Sequence, residues 1–184
     1  MNNRLVYLNS PEECCHEISE NERIVYEFLE NNGIECSVYF HSPAFSMEEC
    51  EKVRKKIGVP IFKNLFLTNK QQTLFYLLMM PADKPFKTKY LSSQLGCARL
   101  SFASPENMRK LLHIEPGAVS PLGLIHDKEN VVKLIVDKQL LDSSLYACHP
   151  CVNTASVVMP LETLLSEVVP STGHDYTVVE LPSE

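Results

Sequence analysis

Gly117-Ala118-Val119-Ser120-Pro121-Leu122-Gly123 is the stretch on which the reading of this sequence turns. Glycine admits backbone geometries closed to other residues, proline fixes its own φ, and the residues between are small enough for a substrate to reach main-chain N–H groups. Such a loop binds with its backbone. Apolar runs follow at Leu122 to Ile125 and Val131 to Val136, which predicts strands there and puts the loop at the mouth of a sheet. Taken alone, the same residues also suit a tight turn between two strands.

Working upstream, Ser19 with Glu22 and Ser10 with Glu13 place a hydroxyl three residues before a carboxylate, the capping-box spacing that starts a helix. Ile24, Val25, Phe28 and Leu29 then recur at helical spacing up to Asn32-Gly33. Ile34 to Phe40 alternates as a half-buried strand, and His41-Ser42-Pro43-Ala44 reads as a turn. A third capping box, Ser46 with Glu49, opens a helix whose apolar stripe is Met47, Cys50, Val53 and Ile57 and whose other side carries Lys52, Lys55 and Lys56. Phe62 to Leu67 and Thr73 to Met80 predict a hairpin, followed by short helices near Lys89 to Leu95 and from Pro105 to His113. Downstream, Tyr146 to His149 and Asn153 to Met159 are extended segments bent at Pro150, Leu161 to Val168 a helix, and Thr177 to Leu181 a closing strand or tail. The elements lack the regular alternation of a doubly wound sheet. They predict an α+β fold, a mixed and partly barrelled sheet surrounded by helices, with residues 1–184 as one domain.

No run of about 18 apolar residues occurs, and the first residues have no signal-peptide core, so a soluble, cytoplasmic protein without a membrane partner is expected. Seven cysteines, an odd number scattered through apolar segments, read as reduced thiols. The net charge of -6 conceals a division. Residues 1–51 carry 2 basic and 11 acidic side chains, residues 52–110 carry 12 and 2, and residues 111–184 carry 3 and 10. A basic middle third between acidic flanks predicts local contact with one nucleic-acid feature rather than a grip on long DNA.

Lys63 stands among Ile61, Phe62, Leu65, Phe66 and Leu67. An ammonium this near a core either snorkels to water or is held as a point charge or an amine of lowered pKa. Cys148-His149-Pro150-Cys151 has the C-x-x-C spacing of thiol-disulfide oxidoreductases, but the β-branched run after it makes a poor helix to stabilise a thiolate. A zinc site would need Cys14-Cys15-His16 to join it across the fold, with no second C-x-x-C to match, so no metal is expected. The absence of G-x-S-x-G, P-loop and G-x-G-x-x-G motifs argues against serine hydrolase, P-loop NTPase and simple dinucleotide-binding readings.

Lys63-Asn64-Leu65-Phe66-Leu67, the Gly117-x-x-x-Pro121 loop with Leu122-Gly123-Leu124, and His149-Pro150-Cys151-Val152-Asn153 together resemble the signatures of the YbaK/prolyl-tRNA synthetase editing-domain superfamily, in order and in spacing. The likeness spans roughly residues 20 to 170 and is nearest the freestanding ProX (PrdX-like) branch. It implies a trans-editing hydrolase that cleaves the ester of mischarged aminoacyl-tRNA, alanine on proline tRNA above all, without cofactor, metal or covalent intermediate. Prolyl-tRNA synthetase is a further implied partner. Lys63 would hold the terminal adenosine or the ester, while the backbone of Gly117 to Pro121, through Ala118, Val119 and Ser120, would bind the aminoacyl group and stabilise its oxyanion. His149, Asn153, Asn64 and Gly123 would shape the pocket. Lys52, Lys55, Lys56, Lys84, Lys87 and Lys89 would meet the acceptor end of tRNA-Pro. Cys151 departs from the family pattern, where Asn is expected. Two other classes stay open: a non-catalytic tRNA-binding or regulatory module of the same fold, and a C-x-x-C oxidoreductase.

Overall fold

The capping boxes at Ser10 and Ser19 both form, each serine oxygen accepting from a helix N–H while the Glu reaches back to the cap. In the computed structural model, which describes residues 4–43, 47–60 and 62–183, Ser10 opens a short 3-10 turn and Ser19 opens α1 (Glu20–Asn31). The box expected at Ser46 and Glu49 lies outside the described residues, as does Ile61. Glu22 is fully buried as a hub. Its carboxylate accepts from Ser19 N–H at 2.9 Å and Tyr26 Oη at 3.3 Å, and pairs with His16 Nε2 at 2.8 Å. Satisfying each lone pair is what lets a carboxylate sit in a core.

Nine strands form two mixed sheets among the described residues: β1 (Leu5–Tyr7), β2 (Cys36–Phe40), β3 (Phe62–Asn69), β4 (Phe75–Pro81), β5 (Leu100–Phe102), β6 (Val132–Asp137), β7 (Leu145–Cys148), β8 (Ala155–Pro160) and β9 (Tyr176–Val179). The four-stranded sheet runs β1-β2-β8-β7, with β1 parallel to β2 and the rest antiparallel. The five-stranded sheet runs β5-β3-β4-β6-β9, with β4, β6 and β9 parallel. Both remain open rather than closing a barrel. Helices α2 (Met47–Ile57), α3 (Thr88–Gln94), α4 (Pro105–Leu112) and the segment α5 (Leu161–Thr163) to α6 (Val169–Ser171), joined by a π-turn over Leu164–Val168, complete the α+β architecture.

The larger core lies between the sheets. Val38, Phe40 and Val157 meet Phe66, Leu77, Met79 and Leu134 there, with Val25 and Leu29 of α1 against them. The opposite face of the five-stranded sheet carries a second cluster of Leu67, Leu78, Met80 and Ile135 under Leu91 of α3. Phe75 to Met80 are therefore buried on both faces, which explains a continuous apolar run in place of alternation.

One expected strand is corrected. Pro121–Ile125 is a 3-10 helix, begun by Ser120 Oγ, which accepts from Leu122 N–H at 3.2 Å, with Pro121 at its first position. Buried on every side, its apolar run lacks the alternation that would separate strand from helix. Gly123 is needed here for space. A Cβ at this position would lie 2.5 Å from Ile114 Cδ1 and 3.2 Å from Leu112 O. Gly123→Ala is expected to cost about 1–3 kcal/mol, read as a lower urea midpoint at unchanged m.

Candidate active site

Three strands and a helix enclose a cavity of about 90 Å³. β3 supplies Phe62 and Asn64, β8 supplies Ser156, β7 and the bend after it supply Ala147 and His149, and His41 follows β2. Val53, Arg54 and Ile57 of α2 close the remaining side, with Arg54 Nε donating to Glu51 at 2.7 Å. Phe62 stacks on Tyr146 with ring centroids 4.8 Å apart.

The hydrogen bonds fix which atoms face the cavity. Tyr146 is fully buried, so its phenol is held well above its ordinary pKa and donates to Asn64 Oδ1 at 2.6 Å. Asn64 therefore offers its Nδ2 donor to a ligand. His149 Nδ1 lies 2.9 Å from Ala155 O, which can only accept, so Nδ1 carries the proton and Nε2 the lone pair. His41 repeats the arrangement, with Nδ1 donating to Ser42 O at 2.9 Å and Nε2 accepting from Ser156 Oγ at 3.0 Å. The two rings lie 6.1 Å apart. Burial is the main cause that lowers the pKa of both, with the charge of His41 a lesser cause in His149 and that of His16 a lesser one in His41, so both imidazoles stay neutral at pH 7.

The structure brings together only some of the residues expected to act together. Asn64 and His149 share the cavity. Gly117, at φ 92°, meets Asn153, whose Nδ2 is the atom nearest a Cβ placed there, at 3.8 Å. The loop and the bend after His149 thus lie side by side, and neither Gly117 nor Asn153 lines the cavity. Nor do Ala118, Val119, Ser120 and Pro121. Ala118 N–H is used by Glu115 O at 3.1 Å, and Ser120 is fully buried as the cap of the following 3-10 turn, so these groups serve the loop itself. Gly123 does not line the cavity, and its lack of a side chain serves the packing described above.

Lys63 alternates with Asn64 on β3 and does not line the cavity. Its ammonium donates to Lys84 O at 2.6 Å. Lys84, expected on the RNA-facing surface, is 6% exposed and pairs with Asp137 at 2.9 Å. That expectation is corrected, because an ammonium enclosed against a buried carboxylate cannot reach phosphate. Lys52, Lys55, Lys56, Lys87 and Lys89 do lie on exposed positions. His41 and Ser156 were missed in the sequence. The first looks like part of a turn and the second like a solvent-facing strand position, and only the pairing of β2 with β8 joins them.

The C-x-x-C pair is also settled by its surroundings. Cys148 and Cys151 are buried at 5% and 3% exposure, and burial pushes the Cys148 thiol up to about 12 and Cys151 higher still. A turn rather than a helix follows them, so no dipole favours a thiolate and the oxidoreductase reading lacks its nucleophile. Cys151 sits at φ 64°, a left-handed geometry to which Asn, the residue expected there, is better suited.

The aminoacyl-tRNA editing domain family matches residues 41–166, which hold every residue of the cavity. The chain belongs to this family. The editing-domain protein is thus an enzyme, an aminoacyl-tRNA deacylase. It is 34% identical over 153 residues to the prolyl-tRNA editing protein ProX of Acetoanaerobium sticklandii, covering 83% of this chain and 93% of that relative. It is 30% identical over 141 residues to the prolyl-tRNA synthetase associated domain-containing protein 1 of Danio rerio, covering 75% of this chain and 76% of the relative. A solved structure described as a candidate trans-editing enzyme for prolyl tRNA synthetase shares the fold at a TM-score of 0.70 and 20% identity, covering 91% of this chain and 100% of that chain. No helix among the described residues is long and apolar enough to cross a membrane.

Proposed function

We propose that this chain acts as one free-standing editing unit that hydrolyses alanine from mischarged proline tRNA, in the cytoplasm and alongside prolyl-tRNA synthetase. The observation that carries the reading is the size of the cavity under Asn64 and His149. At about 90 Å³ it has room for roughly three waters, so a methyl side chain is admitted more easily than the bulkier proline ring. A synthetase pocket made for proline rejects the smaller alanine by only about 1–3 kcal/mol, so a second, smaller sieve has a purpose.

In the reaction, water adds to the ester carbonyl carbon and the bond to the terminal ribose oxygen breaks. The water's proton passes to that oxygen, freeing alanine and tRNA. Asn64 Nδ2 donates to the carbonyl oxygen as its charge develops. His149 Nε2, with its lone pair turned to the cavity, accepts from the attacking water. The hydroxyl of Ser156, oriented by His41, bounds the side-chain end. Gly117 and Asn153 act through the bend that aims His149. Lys63, beside Asn64 but outside the cavity, holds the terminal nucleotide.

Incubating the protein with alanyl-tRNA(Pro) and prolyl-tRNA(Pro) tests this directly. Alanine should be released at least tenfold faster than proline. Equal release of both would end the size-sieve reading, and release of neither would end the reaction.

A further inference from the structure

The face of the five-stranded sheet turned away from the larger core carries an unusual exposed ring. Phe102 lies on edge strand β5, directly opposite Leu67 of the second cluster, yet is 61% exposed. It meets Phe86 edge to face, with centroids 6.4 Å apart at 67°. Two adjoining hollows of about 650 and 620 Å³ share Thr88, Arg99 and Phe102, and Lys70, Lys87 and Lys89 complete their rims. No Asp or Glu lines either hollow. Of these four cations, none is ion-paired among the described residues; Lys89 instead lies 4.7 Å from the centroid of Tyr90.

From this arrangement we infer that the groove holds an unpaired segment of RNA, one base stacked on Phe102 and the flanking phosphates on Arg99, Lys70, Lys87 and Lys89. An exposed aromatic face ringed by unneutralised cations matches a polymer that alternates flat apolar bases with fixed negative charges. Ser101 and Ser104 add hydroxyls along the groove for ribose 2′-hydroxyls. The inference rests on the proposal that the chain acts on tRNA and names a second contact surface for it. Phe62 and Asn64 face the cavity whereas Leu65 and Leu67 face this side, so the groove takes a part of the RNA remote from the aminoacylated nucleotide.

The test is fluorescence anisotropy of the full chain with labelled, uncharged tRNA(Pro) and with an unstructured single-stranded oligoribonucleotide. Phe102→Ala should weaken both by about tenfold, and Phe102→Tyr should restore them. Arg99→Gln should reduce the slope of log affinity against log salt by about one. Wild-type affinity in both Phe102→Ala and Arg99→Gln would overturn the inference. So would a wild-type chain that ignores RNA but binds an acidic peptide, which would make the groove a protein site. Because the readout needs no turnover, RNA binding that depends on Phe102 without alanine release would remove the proposed reaction and keep the groove. Alanine release with RNA affinity indifferent to Phe102 would do the reverse.

Discussion

His149→Asn should lower kcat/KM for alanine release by about 100-fold or more, a loss of about 2.7 kcal/mol in transition-state stabilisation, with little change in thermal unfolding. Asn is chosen because its amide can stand where Nδ1 stands and keep the bond to Ala155 O, while nothing replaces Nε2. The bend then survives and only the lone pair facing the water is lost. A variant with wild-type turnover would remove His149 as the acceptor. The pH profile gives a second check. Burial holds His149 and His41 below the ordinary imidazole range, so activity that needs them neutral should be level from pH 8 to below 6.5 and fail only on the acid side. Stability follows the same direction. The folded chain binds these protons less readily than the unfolded chain, so the unfolded state takes up more protons as pH falls below 6.5 and stability declines. His126, lowered to about 4 by burial, with His113 and Lys128 as lesser causes, extends that decline between pH 6.5 and about 4.

Asp137→Asn should cost about 3 kcal/mol or more in urea unfolding, the largest stability effect of any single change considered. The amide keeps the shape of the side chain and its acceptor for Gln139 N–H, now at 2.9 Å, but leaves the Lys84 ammonium without a counter-charge at 6% exposure. Lys84→Met in the same chain should recover most of the loss, since a neutral, flexible side chain of similar length needs no partner. If the double variant is no more stable than the single one, the loss does not come from an uncompensated ammonium and the pair reading fails. Lys84 O is also the acceptor for Lys63, so the single variant should loosen that ammonium as well.

The sequence spoke most clearly where an interaction is local. Ser19 and Glu22 stand three residues apart, and their spacing alone announces the start of α1. It spoke ambiguously where burial is complete: Leu122 to Ile125 is apolar in either a strand or a 3-10 turn, and only the cap at Ser120 and the crowding at Gly123 decide between them. The three-residue strands β1 and β5 went unpredicted because so short a segment has no period to detect. Long-range pairing was least visible. Nothing near Lys84 in the chain hints at a carboxylate 53 positions later, and His41 meets Ser156 across 115 positions. Of the Lys63, Gly117 and His149 motifs, the geometry puts only His149 on the cavity wall, with Gly117 beside the bend and Lys63 just outside.

The cavity and the Phe102 groove have no lining residue in common. On the proposed roles, substitutions that reshape the first leave the lining of the second unchanged, so which acyl group is discarded and which nucleic acid is admitted can be tuned separately. Such modularity also gives an engineer two independent dials on one small scaffold.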